Sequence, residues 1–217
     1  MPSTPVYTSA IDILLICTAN QCRSVMAEGM LRALLADDGA RADIGSAGLL
    51  RGGAPATRDA IAVMADRGID ISHHVSRTID PEVVRSTLLI IGMAREHVHE
   101  AIGFGAHLER TFTLKELVRR GDDTGPRRQD ETVFDWLARV GAGRRSADLV
   151  GDDHDDDIPD PVGRPRADYE ETAGDLDVLL RQLVALLTGQ PPRSASSANS
   201  SASRPIRGEA LSASGGG

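Results

Sequence analysis

The sequence IDILLICTANQCRSVMAEGM, residues 11–30, decides the fold, because an apolar run ends at a cysteine and a helical pattern follows. Residues 11–16 are typical of a short buried strand. Six apolar residues then recur at helical spacing, namely Val25, Met26, Met30, Leu31, Leu34 and Leu35. Both cysteines of the chain lie in the turn between, together with Arg23. The stretch therefore predicts a strand, a turn that carries reactive groups, and a helix.

The same alternation continues along the chain. Residues 41–46 and 87–92 have the pattern of further strands, and each is followed by a helical pattern, over 57–67 and 94–102. An apolar stripe at intervals of three and four residues predicts a long final helix over 169–187. Strands that alternate with helices indicate an α/β protein with a parallel, wound sheet.

The domain organisation is predicted from length and local composition. We predict one domain over residues 10–188, since 217 residues suffice for one core and a tail. Residues 1–9 are predicted to be a flexible N-terminus. Residues 189–217 are rich in Ser, Ala, Gly and Pro, and they predict a disordered tail. Residues 121–156 are polar apart from one short helical pattern, and we predict that they form a surface insertion.

Charge and apolar content exclude several classes of function. A net charge of -8 argues against nucleic-acid binding. No run approaches the roughly 18 apolar residues of a membrane span, and no export signal is apparent. We therefore predict a cytoplasmic protein without membrane insertion, in which the two cysteines are thiols rather than a disulfide. His73 and His74 belong to no cluster with ligand spacing, so neither a metal nor a cofactor is predicted.

The turn after the first predicted strand has the properties of an anion site. Loops that follow parallel strands and precede helices bind ligands, because the N-terminus of a helix is positive. Arg23 opens the helix, where a cation is unfavourable, and no acidic residue precedes Glu28 to compensate. A phosphate dianion would satisfy the helix and the guanidinium together. The same positive field favours the thiolate form of Cys17, which is a nucleophile.

Residues 17–28, C-T-A-N-Q-C-R-S-V-M-A-E, resemble the phosphate-binding loop of the low-molecular-weight protein tyrosine phosphatases, C-x5-R-S followed by M-A-E. The resemblance implies a three-layer α/β/α fold with a four-stranded parallel sheet and the loop after the first strand. It also implies that Cys17 forms a phosphocysteine, that Arg23 clamps the phosphoryl oxygens, and that Ser24 hydrogen-bonds the thiolate. The other residues of the implied phosphate-binding loop are Thr18, Ala19, Asn20, Gln21 and Cys22.

Further features of that family have counterparts here. Asn20 is expected in a left-handed bend, and Cys22 in reach of a reversible disulfide with Cys17, as is frequent in the family. The family's general acid is an Asp followed by Pro. Asp160 fits that description, and Asp157 in the same acidic run is the competing candidate. The resemblance also assigns support of the loop Asn to two further residues, Ser46 and His74.

The predicted activity is hydrolysis of phosphotyrosine on proteins through a phosphocysteine. The expected partners are a phosphorylated protein or a small phosphate ester, and a cognate tyrosine kinase. Gln21 leaves phosphoarginine open, because the family commonly has Ile at this position in phosphotyrosine enzymes and Thr in phosphoarginine enzymes. The aromatic residues that usually wall the phosphotyrosine slot are replaced, with Leu49 and Leu50 after Gly48 and Val162 after Pro161. The same residues are also compatible with arsenate reduction that borrows an external thiol, and with phosphate binding without turnover.

Overall fold

The computed structural model describes residues 11–145 and 154–190. One parallel sheet has the strand order β2-β1-β3-β4, formed by β1 (Ile11–Cys17), β2 (Ala42–Gly48), β3 (Leu89–Gly92) and β4 (Thr111–Thr113). The helices of the described residues are α1 (Arg23–Asp37), α2 (Arg58–Ala65), α3 (Pro81–Ser86), α4 (Arg95–Gly103), α5 (Leu114–Thr124), α6 (Val133–Val140), α7 (Arg166–Thr188) and a 3₁₀ turn, Leu108–Arg110.

The central strand β1 divides the core into two halves. Ile13 and Leu15 face one apolar cluster, to which α1, α2, α5, α6 and α7 contribute. Leu14 and Ile16 face a second, smaller cluster with residues of α3 and α4. Successive side chains of a strand point to opposite faces, so a strand buried on both faces has a continuous apolar sequence. The predicted three-layer α/β/α fold with a four-stranded parallel sheet is confirmed.

The strand order places one loop at the point where the direction of the connections reverses. From β1 the chain crosses to β2 on one side, and it later enters β3 on the other side of β1. Cys17, the last residue of β1, lies beside Gly48, the last residue of β2. Such a switch point opens a crevice at the carboxyl ends of the strands, where α/β proteins bind ligands. The loop after β1 therefore lies where a ligand site is expected.

Residues 121–156, the predicted surface insertion, include a helix that is part of the core. Helix α6 buries Trp136, Leu137 and Val140 in the same cluster as α7. The indole Nε1 of Trp136 donates to the carbonyl of Gly125 at 3.1 Å, so its polar atom is paired. An amphipathic helix needs only three or four apolar residues to join a core, and this helix has them in a polar sequence.

Two other predictions concern residues outside the described ranges. The described ranges leave out residues 1–10, 146–153 and 191–217. The first of these holds the predicted flexible N-terminus, and the last holds nearly all of the predicted tail. Gly189 ends α7 in the left-handed conformation, with φ 69°. No helix of the described residues is long and apolar enough to cross a membrane.

Candidate active site

The sulfur of Cys17 lies at the start of the loop, surrounded by donors. Cys17 is buried, and its Sγ accepts from the backbone N–H of Asn20 at 3.3 Å. The hydroxyl oxygen of Ser24 is 3.0 Å away. Helix α1 begins at Arg23 without a side-chain cap and without an acidic residue in its first turn. The uncapped N-terminus of α1 and the N–H of Asn20 place positive partial charge beside the sulfur.

The side chain of Asn20 determines the direction of these hydrogen bonds. Its Nδ2 donates to Ser46 Oγ at 2.7 Å and to Ser24 Oγ at 3.0 Å. The Ser46 hydroxyl donates a hydrogen bond to Glu28 Oε2 at 2.5 Å. Since the Ser24 oxygen accepts from Asn20, its hydrogen is available to the sulfur of Cys17. The chain of hydrogen bonds therefore ends in a donor that stabilises a thiolate.

The backbone of the loop is held from outside at the same residue. Asn20 has φ 54°, the left-handed conformation expected for it, and is the only such non-glycine residue in the described part of the chain. Its carbonyl contacts His74 Nε2 at 2.8 Å, and its Oδ1 accepts from the backbone N–H of Arg77 at 2.9 Å. The hydrogen bonds expected of Ser46 and His74 to Asn20 are both present, and Arg77 adds one that sequence analysis missed.

Arg23 spans the distance between the loop and a distant segment of the chain. It is 4% exposed, and its Nη1 donates to the carbonyl of Ile158 at 3.0 Å. Its Nη2 donates to Thr18 Oγ1 at 3.1 Å and to Asp160 Oδ2 at 2.5 Å. The Nε atom is buried and has no hydrogen-bond partner among the described residues. A buried guanidinium with a donor to spare beside a reactive sulfur is suited to an oxyanion.

The two candidate acids have different surroundings. Asp160 contacts Arg23, and its side chain is 41% exposed, so it reaches both the loop and solvent. Asp157 instead accepts from the backbone N–H of Arg95 at 2.7 Å, and its other oxygen contacts His154 Nδ1 at 2.7 Å. Asp157 thus binds the N-terminus of α4, whereas Asp160 contacts the guanidinium of Arg23 beside the loop.

The remaining loop residues separate into a buried and an open set. Both cysteines are free, and Cys22 is buried. Burial, with the nearby Asp160 carboxylate, raises the pKa of the Cys22 thiol, which therefore stays protonated. Three residues are partly exposed and line the open side of the loop, namely Thr18, Ala19 and Gln21. No group of three or more His, Cys, Asp or Glu side chains among the described residues is arranged to hold a metal ion.

Sequence reasoning missed other contacts of the site. His97 Nε2, in the first turn of α4, lies 3.1 Å from Thr18 Oγ1. The carbonyl of Ile158 receives Arg23, and a backbone carbonyl has no signature in the residue type. His97 follows β3 just as the loop follows β1, and the carboxyl ends of parallel strands meet at one edge of a sheet. That rule was the available signal for His97.

Gly48 is expected to tolerate no side chain, because a Cβ there would lie 2.8 Å from both the carbonyl carbon of Ala19 and the amide nitrogen of Asn20. Both are backbone atoms of the loop, so Gly48→Ala must displace the loop. We expect inorganic phosphate to bind at least about tenfold more weakly, measured by titration calorimetry. Gly174→Ala, whose Cβ meets nothing within 4 Å, is the matched control. Unchanged phosphate affinity in Gly48→Ala would contradict this packing.

Comparisons with known proteins agree on one family. Residues 12–134 match the family described as low molecular weight phosphotyrosine protein phosphatase. A protein-arginine-phosphatase of Bacillus subtilis is 28% identical over 179 residues, which cover 82% of this chain and 97% of that protein. An arsenate reductase of Staphylococcus aureus is 39% identical over 84 residues, which cover 39% of this chain and 60% of the reductase.

Solved structures give the same result. The crystal structure of a low molecular weight protein tyrosine phosphatase from T. tengcongensis superposes with a TM-score of 0.62 at 28% identity. The match covers 82% of this chain and all of that structure, 100%. The family match extends over more than half of the chain, and it includes the loop and all of the sheet except Ile11, the first residue of β1. The chain therefore belongs to the low molecular weight phosphotyrosine protein phosphatase family.

Proposed function

We propose that this cysteine-dependent phosphatase hydrolyses phosphotyrosine on proteins through a phosphocysteine intermediate. One observation carries the proposal. The buried guanidinium of Arg23 is joined to Thr18 in the loop that Cys17 opens and to Asp160 on the opposite side. These contacts support roles for Cys17 as nucleophile, Arg23 as anion clamp and Asp160 as acid, which a two-step displacement at phosphorus requires.

The first step transfers the phosphoryl group to sulfur. The Cys17 thiolate attacks phosphorus, while Arg23 binds the nonbridging oxygens, whose charge it stabilises as the bond to the leaving oxygen breaks. Asp160 gives its proton to that oxygen, so the alcohol or phenol departs neutral. In the second step, Asp160 takes a proton from water, the resulting hydroxyl attacks phosphorus, and the P–S bond breaks. Inorganic phosphate leaves, and the thiolate of Cys17 and the protonated Asp160 are restored.

The rim of the site supports an aromatic leaving group. Leu50 and Val162 are large apolar residues with exposed fractions of 55% and 51%. The backbone N–H of Leu50 donates to the Thr18 carbonyl at 3.0 Å, and that of Val162 donates to Asp160 Oδ1 at 3.1 Å. Both residues are thus joined to residues of the site, and a phenyl ring that packed on their side chains would remove apolar surface from water.

Phosphoarginine is the second candidate. The protein-arginine-phosphatase of Bacillus subtilis is similar over nearly its whole length, 97%. The guanidinium of a phosphoarginine would need acceptors near the phosphorus, and the partly exposed Asp160 carboxylate is one such acceptor. Arsenate reduction is less favoured, because the chain has 2 cysteines, both in one loop, and would need an external thiol. Phosphate binding without turnover does not require either a thiolate or an acid.

The substrate proposal is tested with variants of the rim. Leu50→Ser and Val162→Ser are each expected to raise KM for a phosphotyrosine peptide by about threefold to tenfold, because apolar contact is lost. Val178→Ser, at an equally exposed apolar residue of α7, is the matched control and leaves KM unchanged. Steady-state release of phosphate is measured.

A phosphoarginine peptide, and arsenate with an added thiol, are assayed with the same preparation. We expect the phosphotyrosine peptide to have the highest kcat/KM. A higher kcat/KM for the phosphoarginine peptide, with no effect of the two rim variants, would assign the protein to the second candidate function.

A further inference from the structure

His97 is a buried polar residue that the reaction steps above do not use. It is 0% exposed, and it lies in the first turn of α4, near the carboxyl edge of the sheet, where the loop after β1 also lies. Its Nε2 is 3.1 Å from Thr18 Oγ1, across 79 positions of sequence. Buried polar groups are costly unless they are hydrogen-bonded, so the pairing with Thr18 is what accommodates this imidazole.

The surroundings of His97 determine which nitrogen carries its proton. Nδ1 is buried and has no hydrogen-bond partner within residues 11–145 and 154–190, so a proton there would leave an unpaired donor. Nε2 lies 3.3 Å from Glu96 Oε1, and a carboxylate can only accept. Both observations place the proton on Nε2. Burial and the charge of Arg23 lower the pKa of His97 to about 3, so the imidazole is neutral.

This tautomer determines what the hydroxyl of Thr18 can do. Thr18 Oγ1 already accepts from Arg23 Nη2 at 3.1 Å. It is also nearer to His97 Nε2, at 3.1 Å, than Glu96 Oε1 is, at 3.3 Å, so the His97 N–H is a second donor to the Thr18 oxygen. Neither neighbour can accept the hydrogen of Thr18, because a guanidinium has no acceptor and the His97 nitrogen is protonated. The Thr18 hydrogen is therefore left for a third group, and the residue is partly exposed on the open side of the loop.

We propose that His97 is a positioning residue, which through Thr18 holds the guanidinium of Arg23 in place and directs the Thr18 hydroxyl hydrogen to a bound phosphoryl oxygen. Besides its ion pair with Asp160, Arg23 then has two neutral supports, the Ile158 carbonyl on Nη1 and Thr18 on Nη2. Thr18 is then a donor to the substrate, and the first turn of α4 determines its orientation. The proposal rests on the proposed phosphatase function, because it assigns a task within that reaction.

The test compares two substitutions of His97. His97→Leu removes the donor and keeps an apolar group of similar size, whereas His97→Gln keeps an N–H at similar reach. We expect His97→Leu to lower kcat for p-nitrophenyl phosphate about tenfold, with KM within about threefold of the wild-type value. His97→Gln is expected to retain most of the wild-type kcat. His99→Leu, at an exposed histidine of the same helix, is the control. Circular dichroism and thermal melting verify that each variant is folded.

A double substitution separates positioning from packing. Thr18→Val is expected to lower kcat about as much as His97→Leu, and the double variant no further than the more affected single one, since both break one connection. The inference is overturned if folded His97→Leu matches His99→Leu, if Gln does not restore the rate, or if the two effects are additive. Inorganic phosphate affinity, measured by calorimetry, is expected to fall in His97→Leu and not in His97→Gln. If the wild type binds phosphate but hydrolyses nothing, the phosphatase proposal fails, and this measurement still tests the positioning.

Discussion

Cys17→Ser is expected to reduce turnover of p-nitrophenyl phosphate by at least about a thousandfold, because the reaction then loses its covalent step. A serine hydroxyl is far less acidic than a thiol, so the donors from Ser24 and Asn20 cannot keep it ionised. Since Ser differs from Cys by one atom, the fold and the anion site stay intact. Rapid mixing of the wild type with substrate is expected to give a burst of p-nitrophenol that matches the enzyme concentration, and Cys17→Ser gives none.

Cys22→Ser provides the comparison for the nucleophile. Both cysteines are buried free thiols of the same loop, so each substitution makes the same chemical change in a similar environment. Burial keeps the Cys22 thiol protonated by raising its pKa, so it has no nucleophilic part in the reaction. We expect Cys22→Ser to lose less than about tenfold. Equal losses in the two variants would contradict the assignment of Cys17 as the nucleophile.

Asp160→Asn is expected to slow hydrolysis of phenyl phosphate by about a hundredfold to ten-thousandfold, the usual contribution of a general acid. The loss with p-nitrophenyl phosphate should be smaller, because p-nitrophenolate leaves readily without a proton. This dependence on the leaving group is the diagnostic result, since a general loss of structure would slow both substrates equally. The kcat values for the two esters, measured with wild type and variant, give the comparison.

Asp157→Asn separates the two acids of the same segment. Asp157 accepts from the N–H of Arg95 at the start of α4, and Asn can still accept this hydrogen bond. Loss of the negative charge at the helix N-terminus is therefore expected to lower the free energy of unfolding by about 0.3 to 1 kcal/mol. Its effect on kcat should be the same for both esters. A stronger leaving-group dependence in Asp157→Asn than in Asp160→Asn would transfer the role of the acid to Asp157.

Much of the fold was predictable, because strong local patterns determine it. The apolar run of β1 and the stripe of the last helix predicted elements that the structure contains as Ile11–Cys17 and Arg166–Thr188. A fourth strand was expected from the family, but its location was not predicted. Strand β4 has only three residues, Thr111–Thr113, which are too few to show a periodicity. Helix α5, which follows it directly at Leu114, was missed with it. Helix α6 was predicted as a short helix, but it was assigned to the surface although its apolar face joins the core.

The site was predictable where a side chain carries the chemistry, and not where the backbone does. Cys17, Arg23 and Ser24 lie in one short loop, so their spacing alone brings them together. The following proline made Asp160 the candidate acid, and Asp157 competed because both belong to one acidic run. The different contacts of the two carboxylates depend on tertiary structure. The Ile158 carbonyl that receives Arg23 lies 135 positions away and carries no residue signature.

The segment that carries Asp160 is anchored at its own beginning. Asp157 binds the first N–H of α4, the N–H of Ile158 donates to the carbonyl of Met93 at 2.8 Å, and the Ile158 side chain is buried. Lys115 of α5 adds a hydrogen bond to the Asp157 carbonyl at 2.7 Å, so contacts from three parts of the chain hold the segment that leads to Asp160. A substitution in β3 or at the start of α4 is therefore expected to move the acid relative to Arg23, although neither element contains it.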